Sequence, residues 1–354
     1  MLYQTKNQHG GDVYGGGITL DFSANTNPLG TPPGVLEAVC RALPRLHRYP
    51  DPYCRRLVQA IAGHEQVPAS YILCGNGAAD LIYTYCAALR PRTAVELAPT
   101  FMEYGAGLAQ VGCRVERYFL HQAQNFDLDE RFLSFLEEKK PEVVFLCNPN
   151  NPTGRLIPLP LLEQILQYCA AQGARLFLDE CFLDLTEDGV SAKSLLAAHP
   201  ELLILKAFTK SYGMAGIRLG YCLCADNALL RRMAAASPPW NVSSPAQSAG
   251  VAALAERDFL QRTLSLVHTE RRWLTDNLTA LGFWVCPSHA NYLLFRGPLG
   301  LREGLLQQGI AIRGCGNYNG LGDGWYRIAV RPHGENEALI TAIRQFCKEK
   351  ALWQ

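Results

Sequence analysis

Four short stretches hold the residue types that chemistry needs. Lys210 lies in Ala207-Phe208-Thr209-Lys210-Ser211-Tyr212-Gly213, close behind an apolar run. An amine kept near a buried strand end loses its proton more easily and becomes a nucleophile toward carbonyl carbon. Asp179 follows Leu176-Phe177-Leu178 directly, and a carboxylate there is costly unless something pairs with it. Gly75-Asn76-Gly77-Ala78-Ala79 joins an apolar run to a helical one, and free N–H groups at a helix start attract anions. Asn148-Pro149-Asn150-Asn151-Pro152-Thr153-Gly154 is a run of turn formers after a strand. Its two prolines fix the backbone, so that the Asn151 amide is presented rigidly. Taken singly, each has a plainer reading: an exposed loop lysine, an aspartate capping a turn, an ordinary tight turn. Together they ask for one ligand with a phosphate, a carbonyl, a basic ring nitrogen and a ring oxygen. Pyridoxal phosphate has all four, and an acid beneath its nitrogen makes the ring an electron sink.

The elements that must position these residues alternate. Strand-like runs are expected at Tyr71 to Cys74, Thr93 to Ala98, Val143 to Cys147, Leu176 to Leu178, Leu202 to Leu205 and Gly220 to Cys224. Between them Leu81, Ile82, Tyr85 and Leu89, and then Leu161, Leu162, Ile165, Leu166 and Cys169, recur at helical spacing. Buried strands separated by helices predict an α/β protein with a mainly parallel sheet and helices on both faces. In such a sheet ligands sit at the carboxyl ends of strands, where the four stretches lie. After Pro238-Pro239 the texture changes to a long helical stretch from about 245 to 281, with a bend, then three short strands near 292, 310 and 326 and a last helix from about Asn336. That is an α+β pattern. The division expected is an N-terminal arm over 1–30, rich in glycine, a large cofactor-binding domain over 31–240 and a smaller C-terminal domain over 241–354.

Composition removes several classes. The 354 residues carry 33 Lys and Arg against 32 Asp and Glu, a net charge of +1, so a nucleic-acid footprint is not expected. No apolar run approaches the ~20 residues of a membrane span, and Met1 to Gly11 lacks the apolar centre of a signal peptide. A cytoplasmic protein with neither membrane nor nucleic-acid partner is expected. The 13 cysteines are odd in number, include no CxxC and show no paired zinc spacing, so they read as reduced, buried apolar side chains with no metal. Cys181 and Cys315 are the two candidates for a thiol lining the site.

On these motifs the chain resembles a fold-type I pyridoxal-phosphate enzyme of the histidinol-phosphate aminotransferase group, over essentially its whole length. The resemblance implies a seven-stranded, mainly parallel sheet between helices, a smaller α+β domain and a homodimer with shared active sites. Lys210 resembles the lysine that binds the cofactor covalently; Asp179 takes the ring nitrogen and Asn151 the ring oxygen. Thr209 and Arg218 resemble cofactor-phosphate ligands, joined by Gly77, Ala78 and Ala79 through backbone N–H groups. Phe101 falls where an aromatic ring stacks on the pyridine. Tyr49, in Arg48-Tyr49-Pro50-Asp51, resembles a tyrosine that reaches the partner's cofactor phosphate. Arg327 resembles the arginine that grips the substrate carboxylate. Ala79 and Cys181 depart from the group's commoner residues.

One branch is resembled more closely, the L-threonine-O-3-phosphate decarboxylases of cobalamin biosynthesis. The stretches are His9-Gly10-Gly11, Asp21 to Gly30, Ala290 to Leu294 and Ile310 to Arg331. Phe182 stands where the aminotransferases carry a tyrosine on the ring oxygen. The substrate implied is a phosphorylated amino acid, held by His9, Asn25, Asn151, Arg313, Arg327 and Arg331, with Arg331 the preferred partner of its phosphate. The alternatives that stay open are an aminotransferase for histidinol phosphate or an aromatic amino acid with 2-oxoglutarate, a decarboxylase preferring L-serine O-phosphate, and a non-catalytic regulator.

Overall fold

The computed structural model describes residues 9–350. Seven strands form the large sheet: β2 (Ile72–Gly75), β3 (Thr93–Ala98), β4 (Arg114–Phe119), β5 (Val143–Cys147), β6 (Arg175–Asp179), β7 (Leu202–Ala207) and β8 (Gly220–Cys224), following a short β1 (Leu20–Asp21). Their spatial order is β2-β8-β7-β6-β5-β3-β4. The pairs β7–β6, β6–β5, β5–β3 and β3–β4 are parallel, while β8 runs antiparallel to both β2 and β7. Every residue of β5, β7 and β8 is buried, the signature of a sheet covered by helices on both faces. Helix Leu159–Gln172 stops where Gly173 takes φ +67°, helix Asn227–Ala236 is capped by the Asp226 carboxylate, and helix Ser244–Ala253 by the Ser243 hydroxyl.

The second sheet has the order β12-β13-β10-β9, from β9 (Trp284–Val285), β10 (Tyr292–Arg296), β12 (Arg313–Gly314) and β13 (Trp325–Ala329). β11 (Ile310–Ala311) pairs in parallel with β1 instead. Leu274, Leu278, Leu293, Ile328, Leu339 and Ile343 form its core together with Phe22, so the N-terminal segment is packed into this part of the chain.

The structure departs from the sequence reading in four places. β4, Arg-Val-Glu-Arg-Tyr-Phe, was not expected: it is an edge strand with no buried residue, and its charges hide the pattern. One of them, Arg117, meets the buried Glu96 at 2.8 Å. The long helix divides into Ser244–Ala253 and Phe259–Ala280. The run 310–313 splits between two sheets. β7 extends past Leu205 to Ala207. Twelve of the 13 cysteines are buried, and among the described residues none forms a disulfide. No helix among the described residues is long and apolar enough to cross a membrane.

Candidate active site

The carboxyl ends of β5, β6 and β7 open onto one cavity of about 230 Å³, where a parallel sheet places its ligands. β6 delivers Asp179 as its last residue; β7 ends at Ala207, and the single turn Phe208–Ser211 that follows carries Lys210. Because Asp179 and Leu205 are paired in register, the acid and the amine arrive on neighbouring strands. Both line the cavity, together with Ala78, Ala79, Phe101, Asn151, Thr209, Arg218, His9, Asn25, Arg313 and Arg327.

Burial sets the charges. It pushes the Lys210 amine down to about 8, and the nearby positive Arg327 and Arg218 push the same way against Cys181 and Asp179. Nearly a tenth of the amine is therefore neutral at pH 7, against about one part in 3,000 for an ordinary lysine. Burial pushes the Asp179 carboxyl up, opposed by hydrogen bonds from Cys181 and Tyr104 and by the charge of Lys210. Tyr104 donates its hydroxyl to Asp179 Oδ2 at 2.6 Å and the Cys181 N–H donates to Oδ1 at 2.9 Å, which orients the acid.

The surrounding scaffold holds these groups still. In the Asn148 to Gly154 turn the Asn150 amide donates to the Pro99 carbonyl and the Thr153 hydroxyl, and its oxygen accepts from Thr100. Asn151 is then free to present its oxygen to Arg327, which also donates to the Ser23 carbonyl at 2.8 Å. The lysine turn is clamped from two sides. The Ser211 carbonyl accepts from Asn27, and the Ser211 hydroxyl donates to Asp184 at 2.8 Å. Asp184 in turn meets Lys206 at 2.9 Å, and Lys206 meets Glu65 at 3.0 Å.

The residues fit a phosphate-bearing ring aldehyde. Gly77 has φ +90°, and a Cβ there would come within 2.8 Å of the Arg218 guanidinium. Only glycine lets that cation approach the N-terminus of helix Ala78–Leu89, so that both face one anion. Asn25 is 2% exposed, and neither end of its side-chain amide has a protein partner; Arg327 Nε is also unpaired. Buried polar atoms in that state ask for a partner from a bound molecule.

Three expected residues lie elsewhere. Gly77 caps helix Ala78–Leu89 beside Arg218 but does not itself line the cavity. Tyr49 is 79% exposed and stacks on Trp240, centroids 4.7 Å apart, well outside it. Arg331 does not line it either: its Nε donates to Glu335 at 2.9 Å, one helical turn on. Arg313, by contrast, lines the cavity. Of the two candidate thiols, Cys181 lines the cavity and Cys315 does not. Tyr104, Asp184, Asn27 and the cavity-lining Tyr318 were not expected. For Lys206 a signal existed, a charge inside an apolar run.

Comparison with known proteins gives one family. The model of the aminotransferase class I and II family matches residues 18–346. A threonine-phosphate decarboxylase from Salmonella typhimurium is 40% identical, covering 92% of this chain and 90% of its own. A histidinol-phosphate aminotransferase from a Geobacillus species is 33% identical over 96% of this chain and 93% of its own. Among solved structures, the histidinol-phosphate aminotransferase from Clostridium acetobutylicum superposes with a TM-score of 0.87 at 28% identity, covering 93% of this chain and 99% of that one.

Proposed function

We propose, from the premise that the chain belongs to the aminotransferase class I and II family, that it is a pyridoxal-phosphate-dependent decarboxylase. Its substrate is L-threonine O-3-phosphate and its products are CO2 and (R)-1-aminopropan-2-ol O-phosphate. The observation that carries this reading is a cavity lined by three arginines and a histidine with a single acid. Arg218 suffices for the cofactor phosphate and Arg327 for a substrate carboxylate. Arg313 and His9 remain on the same lining, beside one acid, Asp179. A further guanidinium and an imidazole suit a second phosphate, on the substrate itself. The 40% identity to a threonine-phosphate decarboxylase over nearly the full length supports the same choice.

When bound, the cofactor ring accepts the electron pair released from a bond at the substrate's Cα. The protein's part is to hold and to choose. Lys210 would bind the cofactor through its amine, and Asp179, oriented by Tyr104, would hold a proton at the ring nitrogen. Asn151 would face the ring oxygen, with Thr209, Arg218 and the N–H groups of Ala78 and Ala79 on the phosphate. Arg327 would fix the substrate carboxylate and so decide which Cα bond stands perpendicular to the ring. Lys210 would deliver to Cα the proton that takes the place of the departed carboxylate. Phe182 offers no hydroxyl, which separates this site from one where a tyrosine meets the ring oxygen.

A homodimer belongs to the same reading. Leu43, Leu46, Tyr49, Tyr53 and Trp240 are all at least 45% exposed, an apolar face that a second copy would cover while Tyr49 reached the partner's cofactor phosphate.

The deciding experiment supplies purified, cofactor-loaded protein with L-threonine O-3-phosphate and no keto acid. Release of CO2 is expected. Silence, followed by turnover once histidinol phosphate and 2-oxoglutarate are added, would replace the reading with the aminotransferase. L-Serine O-phosphate, which lacks one methyl group, should be a poorer substrate by about 10- to 200-fold.

A further inference from the structure

We propose that Glu103 is a positioning residue that holds His9, and with it the segment around Gly10 and Gly11, at the cavity before substrate arrives. The inference rests on the reading above, in which His9 serves a substrate phosphate.

Around His9 two contacts bear on its placement. The Gly11 N–H donates to the Ser23 hydroxyl at 2.7 Å. At Gly10 the backbone runs so close to Ser23 that a Cβ would come within 2.1 Å of its carbonyl oxygen. The second contact is Glu103, whose Oε1 lies 2.7 Å from His9 Nε2 and whose Oε2 accepts the Tyr83 hydroxyl at 2.7 Å. Both carboxylate oxygens are thereby engaged, one by His9 and one from helix Ala78–Leu89. The His9 hydrogen bond, then Tyr83 and the charge of His9, hold this carboxyl below its usual range against the opposing effect of burial.

The location gives the pair its purpose. Glu103 opens helix Glu103–Gln110. Two residues before it Phe101 lines the cavity, and one residue after it Tyr104 bonds Asp179. Glu103 itself does not line the cavity, whereas His9 does. A carboxylate exposed to a phosphorylated substrate would repel it; acting through an imidazole, it places a donor instead. An exposed ion pair contributes little to overall stability. Its effect here is preorganisation: the entropy of ordering this segment is already spent when substrate binds, which tightens binding without touching the chemical step.

The test uses the full cofactor-loaded chain, following CO2 release from L-threonine O-3-phosphate by wild type, Glu103→Ala, Glu103→Gln, His9→Ala and the double alanine variant. Glu103→Ala should raise KM about tenfold, the worth of one charge-assisted hydrogen bond, with kcat held within about twofold. Glu103→Gln keeps the shape and one acceptor oxygen but not the charge, and should recover part of the loss. His9→Ala should match Glu103→Ala, and the double variant should be no worse than either. Cofactor affinity, read by absorbance titration, should stay constant throughout. Losses that add in the double variant, or a Glu103→Ala that lowers kcat and cofactor affinity as much as it raises KM, would overturn the proposal. If wild type releases no CO2, the functional reading fails by itself. The same variants then bind inorganic phosphate, and the proposal stands only if Glu103→Ala weakens that binding when His9 is present and not when it is absent.

Discussion

Replacing Lys206 by methionine should destabilise the protein by about 3 kcal/mol, at the low end of the ~3–5 kcal/mol that follows when one partner of a buried ion pair is removed. Lys206 lies in β7 with its side chain 6% exposed, its ammonium 3.0 Å from Glu65 and 2.9 Å from Asp184. Methionine keeps the length and removes the charge. Glu65 would retain Lys193 at 2.9 Å and the Tyr221 hydroxyl, so the uncompensated charge falls on Asp184 and on the buried Glu180, whose carboxyl burial raises and the charge of Lys206 holds down. Asp184 also receives the Ser211 hydroxyl, and the lysine turn should loosen with it. The loss should depend on pH. Burial alone would raise the Glu65 carboxyl, but Lys206, Tyr221 and Lys193 outweigh it and hold the group at about 2, below its usual 4.5. A group depressed on folding stabilises above its unfolded pKa, and that contribution disappears as pH falls through the folded value. The gap between wild type and variant should therefore be full at neutral pH and narrower near pH 4. Urea midpoints of the two proteins at both pH values measure it. Adding Asp184→Asn should recover part of the loss. A Lys206→Met midpoint equal to wild type, or a gap that ignores pH, would refute the assignment of the cluster as a stabilising clamp.

Lys210→Ala should abolish both turnover and the visible absorbance of the lysine-linked cofactor; a retained band would remove Lys210 from that role. With the amine pushed to about 8, the initial rate of cofactor uptake by the apoprotein should climb with pH and level off above about 8, because only the neutral amine attacks a carbonyl. A flat profile contradicts the shift. Asp179→Asn should cut turnover about a hundredfold or more while changing cofactor affinity far less; rates near wild type would end its electron-sink role. Tyr49→Ala leaves each subunit's core untouched and should weaken association in sedimentation, and an active monomer of the wild type would refute shared sites.

The strand ends were legible because a parallel sheet confines chemistry to them, and the sequence marks them by abrupt polarity: Asp179 after Leu178, Asn148 after Cys147. What was not legible depends on partners distant in sequence. The charge of Lys206 reads as the end of a strand, yet β7 continues to Ala207 because Glu65 and Asp184 come from other segments to receive the ammonium. Tyr104 looks like one more core aromatic until the fold places its hydroxyl on an acid 75 residues further on. The run from Ile310 to Arg313 reads as one strand, but the chain changes partners within it, from β1 to β13.

The two arginines flanking Arg327 sharpen the point. Arg331 precedes helix His333–Glu349 and has Glu335 one turn along, a spacing visible in the sequence as a competing carboxylate. Arg313 has no acidic residue within four positions on either side; its guanidinium meets Asn317 at 2.8 Å and stands 5.4 Å from the centre of the Tyr318 ring. Arg331 is turned toward Glu335 and does not line the cavity, whereas Arg313 does. Arg313 lines the cavity together with His9, and under the proposed function it is the arginine assigned to the second phosphate.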